Sequence, residues 1–398
     1  MDIWTVIELC VLSINAFHIG IFASSILIYN FCIKNKKGEC CKRVLPSCTV
    51  IIPCYLPNEY EIIMETVNHF LQESLIDKVI VVYNTPIKMS IEIELKAIEN
   101  NRFKCINVID STSRAENLAF VLNTGELSTE TILLVDADHR SETGSINTML
   151  EEYINASERA CCIQASIGVR GESCFARILD TFGLLSGIFL QPCLEMVGGS
   201  ALYIGAGSLW NAKVLREYSF SCITSEDIDL TFRIMLQTLK VKGSLHGRFN
   251  ELAPRNCMEF IKQRTRWVAG FEECRRIYFW RFLRQPRIYL MFCYIYMTYF
   301  TTFINVGQFI SSLCYRRFPS IWASIPVGVA VFMLLTLCIT LVFLVIKDTH
   351  LKKKAGWLMC GLIGSPAFAF FQTTIFIYAL LRRPCPIKNH VTLRSVEM

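Results

Sequence analysis

The sequence predicts an α/β fold whose core is a doubly wound, mostly parallel sheet. Strand and helix signals alternate through residues 47–270, and the strand segments are continuous runs of apolar and β-branched side chains. Such runs are typical of strands covered on both faces, and the alternation is typical of parallel sheets with helices between the strands. Strong apolarity at both ends of the chain separates this domain from its flanks.

The elements of the domain follow one another in a regular order. Strands are predicted at residues 48–53, 78–83, 103–109, 131–135 and 161–166. Helices are predicted at residues 59–72, 92–99, 114–122 and 145–154, and from 226 to about 239. No G-x-G-x-x-G and no Walker lysine motif occurs, so the usual dinucleotide-binding and P-loop classes are excluded.

Residues 1–33 predict a membrane anchor. The chain has 398 residues, 53% of them hydrophobic, and its run 3–33 exceeds the roughly 20 residues that cross a bilayer. Basic side chains follow this run but none precedes it, so we expect a retained anchor rather than a cleaved signal peptide. The positive-inside rule then orients the following domain toward the cytosol, with residues 34–46 as a basic linker.

The other end predicts about three further transmembrane helices within residues 288–381, followed by a tail, 382–398. That basic tail would lie outside, against the positive-inside rule, so the number of spans stays open. Residues 271–287 mix arginine with aromatic side chains, a composition that also suits nucleic acid. Directly before a span they indicate an amphipathic interface helix. We therefore expect an integral protein of the plasma membrane or an endomembrane. Its partner would be the lipid bilayer, and we expect no binding of nucleic acid.

Asp136 and Asp138 directly follow the predicted strand 131–135, where parallel sheets bind their ligands. Two carboxylates about 4 Å apart repel by about 4 kcal/mol at an effective dielectric constant of 20. A hard cation such as Mg²⁺, held by one or two carboxylates and substrate phosphates, removes this repulsion. The alternative is a solvated turn after a strand, because Asp-x-Asp alone is a common pattern.

Two later motifs carry candidate catalytic groups. Glu226 and Asp227 begin a predicted helix, where they either cap it or provide a general base at the mouth of the sheet. In the segment 263–267, Gln-Arg-Thr-Arg-Trp, arginine offers a planar fork for phosphate and Trp267 a flat face for a sugar. Alone, this segment would be an ordinary amphipathic helix turn.

In this order, the motifs resemble those of the membrane-bound processive glycosyltransferases of family 2, the group of the cellulose, chitin, hyaluronan and mannan synthases. The matching segments are residues 52–59, 113–117, 136–139, 164, 203–208, 224–227, 251–254 and 263–267. They cover roughly residues 47–285. The resemblance implies a nucleotide-sugar-binding domain of the GT-A type, inserted between transmembrane helices.

For the donor, the resemblance implies a nucleotide diphosphate sugar. Tyr55 and Glu59 would line the base and ribose pocket, and Gln164 would shape the sugar site. Arg114 would contact the diphosphate, where the family usually has lysine. Asn84 replaces the usual aspartate and would still hydrogen-bond a base, although it donates as well as accepts. We expect a UDP-sugar as the favoured donor and a GDP-sugar as the alternative.

For the chemistry, the resemblance implies a metal ion and one base. Asp138 would ligate Mg²⁺ or Mn²⁺, with Asp136 at the metal or the ribose. Asp227, beside Glu226, would deprotonate the acceptor hydroxyl, and Arg266 would stabilise the departing nucleoside diphosphate. A single base with in-line attack implies inversion, so an α-linked donor gives a β-linked product.

On the acceptor side, the resemblance implies binding by Gly205, Gln263 and Trp267. We therefore expect a metal-dependent inverting glycosyltransferase that extends a β-linked polysaccharide at the cytosolic face of a membrane. One alternative is a single transfer to a lipid acceptor such as ceramide or polyprenyl phosphate. Another is a membrane protein that binds nucleotide sugar without transfer. The sugar, acceptor, linkage, processivity and oligomeric state are left open by the sequence.

Overall fold

One eight-stranded sheet forms the centre of the protein. The computed structural model describes Ile21, Ser24 and residues 44–297 and 371–381. The strands are β1 Cys48–Tyr55, β2 Lys78–Asn84, β3 Phe103–Asn107, β4 Thr131–Leu134, β5 Arg140–Ser141, β6 Ala160–Arg170, β7 Ser208–Asn211 and β8 Lys240–Leu252. Their order across the sheet is β3-β2-β1-β4-β7-β6-β8-β5.

Helices connect the strands and cover the sheet. They are α1 Leu56–Glu59, α2 Ile63–Gln72, α3 Ser90–Lys96, α4 Arg114–Leu122, α5 Ser145–Ile154, α6 Cys174–Leu185, α7 Gln191–Gly198, α8 Ala212–Tyr218, α9 Glu226–Leu236 and α10 Cys257–Phe282. A π-helix, Ser186–Leu190, joins α6 to α7. Residues 286–297 and 371–381 are also helical.

The sheet is buried on both faces, as its apolar strands predicted. Successive side chains of a strand point to opposite faces. Accordingly, Val50 and Ile52 of β1 join a core with Phe70 of α2, whereas Ile51 joins a second core with Leu118 of α4. The two cores fix the register of β1 and therefore the position of the loop that follows it.

The sheet is mixed but mostly parallel, as predicted, because six of its eight strands run in the same direction and only β5 and β7 are reversed. Strands β3, β2, β1 and β4 are mutually parallel, but β7 runs antiparallel to both β4 and β6. In the same half, β8 is parallel to β6 and antiparallel to β5. In this half the sequence pattern missed β5 and β7, which have only two and four residues, and β8, whose pattern is interrupted by glycine at 243 and 247.

The helix α10 is longer than predicted. It has 26 residues and contains both the segment 263–267 and most of the predicted interface helix 271–287, so the boundary placed at residue 270 falls inside one helix. The reason is the spacing of its buried side chains, since Phe271, Cys274, Tyr278 and Phe282 follow one another at three- and four-residue intervals.

Of the predicted anchor 1–33 and the predicted spans within 288–381, the structure describes only Ile21, Ser24 and residues 288–297 and 371–381. Within the described part of the chain, no helix combines the length and the apolar character that crossing a bilayer requires. The membrane topology therefore stays a prediction.

Candidate active site

The candidate site lies at the carboxyl ends of the parallel strands. Tyr55 and Asn84 are the last residues of β1 and β2 and face each other in register. Asp136 comes two residues after β4, which is the other neighbour of β1. Because parallel strands end at one edge of a sheet, these three predicted donor-site residues are brought to the same edge.

Arg114 is the centre of the polar contacts in this site. Its Nε donates to Asp136 Oδ1 at 2.9 Å, one terminal nitrogen pairs with Glu226 Oε1 at 2.8 Å, and the other donates to the carbonyl of Gly205 at 2.6 Å. It is the first residue of α4, where Ser113 caps the helix by accepting from the Glu116 N–H. One guanidinium thereby joins the Asp136 loop, the Gly205 loop and the start of α9.

Asp227 has the electrostatics of a general base. Burial and the adjacent charge of Glu226 raise its pKa to about 7, against a hydrogen bond from the Ile228 N–H and the positive charges of Arg114 and Arg266. A base whose pKa lies near the operating pH transfers protons most effectively. Ser225 is the N-cap residue of α9 and makes no side-chain capping bond, whereas Glu226 and Asp227 lie in the first turn, where the helix dipole favours acidic side chains.

The loop before β7 depends on glycine at two positions. Gly205 and Gly207 have φ angles of +96° and +62°, a region that other residues rarely adopt. A Cβ at Gly205 would lie 3.5 Å from Asp227 Oδ2, and one at Gly207 would lie 2.5 Å from Ile167 Cδ1. The predicted acceptor residue Gly205 therefore lies directly beside the candidate base.

Gln164 supports the backbone of this loop. Its side chain is buried; Nε2 donates to the carbonyl of Ala206 at 2.8 Å and Oε1 accepts from the N–H of Ile204 at 3.2 Å. Both ends of the amide are thus occupied by loop backbone. Gln164 would therefore shape the sugar site through the backbone of this loop.

Glu59 and the two aspartates place three carboxyl groups at the end of β1. Burial, together with the charges of Asp138 and Asp136, raises the pKa of Glu59 to about 8, although its Oε2 accepts a hydrogen bond from the Tyr55 N–H at 2.8 Å. Ionised carboxylates that disfavour one another in this way are stabilised by a cation.

The Asp136 and Asp138 carboxylates fit a hard divalent ion by their chemistry. Asp138 is buried, and its Oδ1 is 3.0 Å from Nδ1 of His139, a contact that orients the carboxylate. No group of three or more metal-binding side chains occurs among the described residues. Two carboxylates suit Mg²⁺ or Mn²⁺ whose other ligands are substrate phosphates.

Asn84 belongs to a small amide network. Its Nδ2 donates to the carbonyl of Ser111 at 2.9 Å, and its Oδ1 accepts from Nδ2 of Asn117 at 2.8 Å. Each end of the Asn84 amide keeps one further hydrogen-bonding position, so contact with a base is still chemically feasible. Asn117 was not predicted as a site residue, although it lies in the matching segment 113–117.

The helix α10 approaches the site through its middle. Gln263 is buried, and Trp267 is 40% exposed. The guanidinium carbon of Arg264 lies 4.0 Å from the centre of the Trp267 ring, so only the other ring face is available to a sugar. Arg266 lies close enough to Asp227 to lower its pKa. The contact between Arg264 and Trp267 was not predicted, because two residues one helical turn apart give no distinct sequence signal for stacking.

Three further supporting residues were missed. Arg170, at the end of β6, donates to the backbone carbonyl of Asp138 at 3.2 Å. Tyr278 of α10 donates to Asp229 of α9 at 2.5 Å, and Arg233 pairs with the same carboxylate at 2.7 Å. These contacts join elements that are distant in the sequence, and only the fold reveals them.

Comparison with known proteins assigns this arrangement to a family. Residues 131–347 match the model of the family described as Glycosyl transferase family group 2. No curated protein matches the chain.

Solved structures give the fold. The chain is similar to the mannosyltransferase PcManGT from Pyrobaculum calidifontis in complex with GDP-Man and Mn²⁺, at 12% identity and a TM-score of 0.54, over 94% of this chain and 98% of that one. It also matches glucosyl-3-phosphoglycerate synthase from Mycobacterium tuberculosis, at 15% identity and a TM-score of 0.37, over 57% of this chain and 80% of that one. The S. aureus protein TarS 1-349 matches at 15% identity and a TM-score of 0.37, over 56% of this chain and 65% of that one. The likeness to the mannosyltransferase is one of fold, a mixed α/β sheet of the GT-A type.

Proposed function

The chain belongs to glycosyl transferase family group 2 and is a glycosyltransferase, and on this premise we propose that it carries out metal-dependent, inverting transfer from a nucleotide diphosphate sugar to a growing β-linked polysaccharide at a membrane. The observation that carries the proposal is the set of contacts made by Arg114. This residue holds Asp136 and Glu226 at 2.9 and 2.8 Å. It thereby joins the donor end of the site to the helix that bears Asp227.

The donor is a UDP- or GDP-sugar in this proposal. Support comes from the mannosyltransferase of similar fold, which is described in complex with GDP-Man and Mn²⁺. The edge formed by Tyr55, Asn84 and Asp136 would receive the nucleoside. Asp138 and Asp136 would hold Mg²⁺ or Mn²⁺, which when bound supplies positive charge to the leaving diphosphate.

The residues of the chain divide the chemistry between them. Asp227, with a pKa of about 7, takes the proton of the acceptor hydroxyl as that oxygen attacks the anomeric carbon. The bond from the anomeric carbon to the diphosphate breaks as the new glycosidic bond forms, and the charge leaves with the nucleoside diphosphate. Arg266 provides positive charge near Asp227. Because negative charge develops on the leaving diphosphate, this positive charge stabilises the transition state more than the ground state.

Membrane association is part of the proposal. Exposed apolar side chains follow the site along α10 and the helical segment 286–297, among them Ile277, Trp280 and Leu290. We propose an integral membrane protein with its catalytic domain in the cytosol, at the plasma membrane or an endomembrane. This same apolar surface favours a second candidate function, a single transfer to a lipid acceptor, because a lipid hydroxyl or phosphate would arrive from that side.

One experiment tests the transfer and separates the two acceptors. Membranes containing the full chain are incubated with radiolabelled UDP- and GDP-sugars and Mg²⁺ or Mn²⁺, and membranes containing Asp138→Ala are the matched control. A high polymer or a ladder on a gel supports the polysaccharide, and one labelled glycolipid supports the lipid acceptor. Equal incorporation by the control from every donor would refute metal-dependent transfer at this site.

A further inference from the structure

An open cleft of about 530 Å³ lies between the ends of α9 and α10 and contains none of the candidate active-site residues. Arg233 and Gln237 contribute from the end of α9, and Arg281, Arg284 and Gln285 contribute from the end of α10 and the turn after it. We name these five residues the arginine cleft. Its volume is in the range of sites that bind small molecules or headgroups.

The arginine cleft carries positive charge that its surroundings do not neutralise. Arg233 is paired with Asp229, its Nε lying 2.7 Å from Oδ2. Arg281 and Arg284 are exposed, and no acidic side chain among the described residues pairs with either. Arg275, earlier on the same helix, does pair with Glu272 at 2.9 Å. The cleft therefore presents two guanidinium groups that an anion can bind through two hydrogen bonds each.

Apolar side chains border these two arginines. Ile277, Trp280 and Leu283 are 52%, 75% and 48% exposed on α10 and the turn after it. Arg281 and Arg284 both line the cleft, and Trp280 and Leu283 precede them directly in the chain. A phosphate beside exposed tryptophan and leucine matches the boundary between headgroups and acyl chains, not bulk water.

From this charge and this border we propose that the arginine cleft binds the phosphate of an anionic phospholipid headgroup. The phosphate oxygens accept from the guanidinium groups of Arg281 and Arg284, and the acyl chains lie along Trp280 and Leu283. The inference rests on the proposed association with a membrane and not on sugar transfer. A chain that binds the lipid but transfers no sugar would leave it intact.

Native mass spectrometry of the full chain, purified in detergent, tests the proposal. The probes are phosphatidylserine, phosphatidylcholine and inorganic phosphate, each added alone, and inorganic phosphate as a competitor of phosphatidylserine. We expect a phosphatidylserine adduct that phosphate does not displace and a weaker phosphatidylcholine adduct. Removing both guanidinium groups, in the double variant Arg281→Gln/Arg284→Gln, should weaken the phosphatidylserine adduct about 30-fold.

The matched control is Arg276→Gln, an exposed arginine of α10 that does not line the cleft. It should keep the adduct of the unchanged chain, and equal melting temperatures of all variants would establish that they fold. Equal binding of the two lipids, an unchanged adduct in the double variant, or an equal loss in Arg276→Gln would overturn the proposal. Displacement by inorganic phosphate would do so as well, because the cleft would then be a site for free phosphate.

Discussion

Arg114 and Glu226, which lie 112 positions apart in the sequence, form an ion pair with 2.8 Å between their nitrogen and oxygen atoms. Because the same guanidinium also pairs with Asp136, it connects the two acidic motifs of the site. These two ion pairs fix the distance between the donor end of the sheet and the helix that carries the candidate base.

We expect Arg114→Ala to lower both stability and activity. Without the guanidinium, Asp136 and Glu226 face each other across a partly buried space, and losing one partner of such a pair costs about 2–4 kcal/mol of unfolding free energy. Arg114→Lys should recover only part of this loss, because lysine is a point charge and lacks the fork that makes three contacts. Thermal unfolding and the KM for the donor measure both effects. Arg276→Ala is the exposed control, and an equal drop in that variant would contradict the linking role.

Gly205→Ala should reduce the rate of transfer. A residue with a Cβ at φ +96° costs about 1–3 kcal/mol, and the strained loop would displace the carbonyl that Arg114 contacts. The new methyl group would also touch Asp227 at 3.5 Å. The matched control is Gly125→Ala, where a Cβ would meet nothing within 4 Å. We expect lower kcat in the first variant and unchanged kcat in the second, and equal kcat values would rule out this role for the loop.

Gly270→Ala should separate α10 from α9. A Cβ there would lie 1.9 Å from Ser225 Oγ, so one helix must move. Overpacking of this kind costs about 1–3 kcal/mol, and a shift of about 1 Å in the helix that bears Arg266 can lower the rate about 100-fold. Ser225→Gly removes the obstructing side chain. The double variant should therefore recover part of the lost stability and part of the lost rate. Absence of any restoration would mean that the close contact is not the cause.

About half of the fold could be predicted from the sequence. The strands β1–β4 and the helix α4 were predicted almost to the residue, since apolar runs and helical spacing are local signals. The antiparallel strands β5 and β7 were missed, because two and four residues carry too little pattern. Their placement depends on pairing with β8 and with β4 and β6, which is a property of the whole sheet.

The family 2 assignment predicted from the motifs is confirmed, because the family model matches more than half of the chain. The roles of Asp136, Asp138, Asp227 and Arg266 stay predictions that the geometry supports. For Gln164, the sequence did not indicate that both ends of its side-chain amide form hydrogen bonds with the backbone of the loop before β7. The processive type, the membrane spans and the acceptor stay predictions as well.

We expect Asp227→Asn to stabilise the protein at alkaline pH. The folded pKa of Asp227, about 7, lies above the ordinary value of 3.8, so folding favours the protonated form. This contribution to stability is complete below pH 3.8 and is lost as the pH rises through about 7. The neutral amide should therefore melt about 2–4 °C above the unchanged chain at pH 8, and this difference should shrink as the pH falls toward 3.8. A lower melting temperature at pH 8 would contradict the raised pKa.

The pH dependence of kcat, compared between the unchanged chain and Asp227→Asn, tests the central claim most directly. Because the base must be ionised, kcat of the unchanged chain should fall about tenfold for each pH unit below about 7. The variant should be about 100- to 10,000-fold slower near pH 8 and should show no such fall, because it has no titrating group at this position. A variant that keeps the full rate, with the same pH profile as the unchanged chain, would show that Asp227 is not the base.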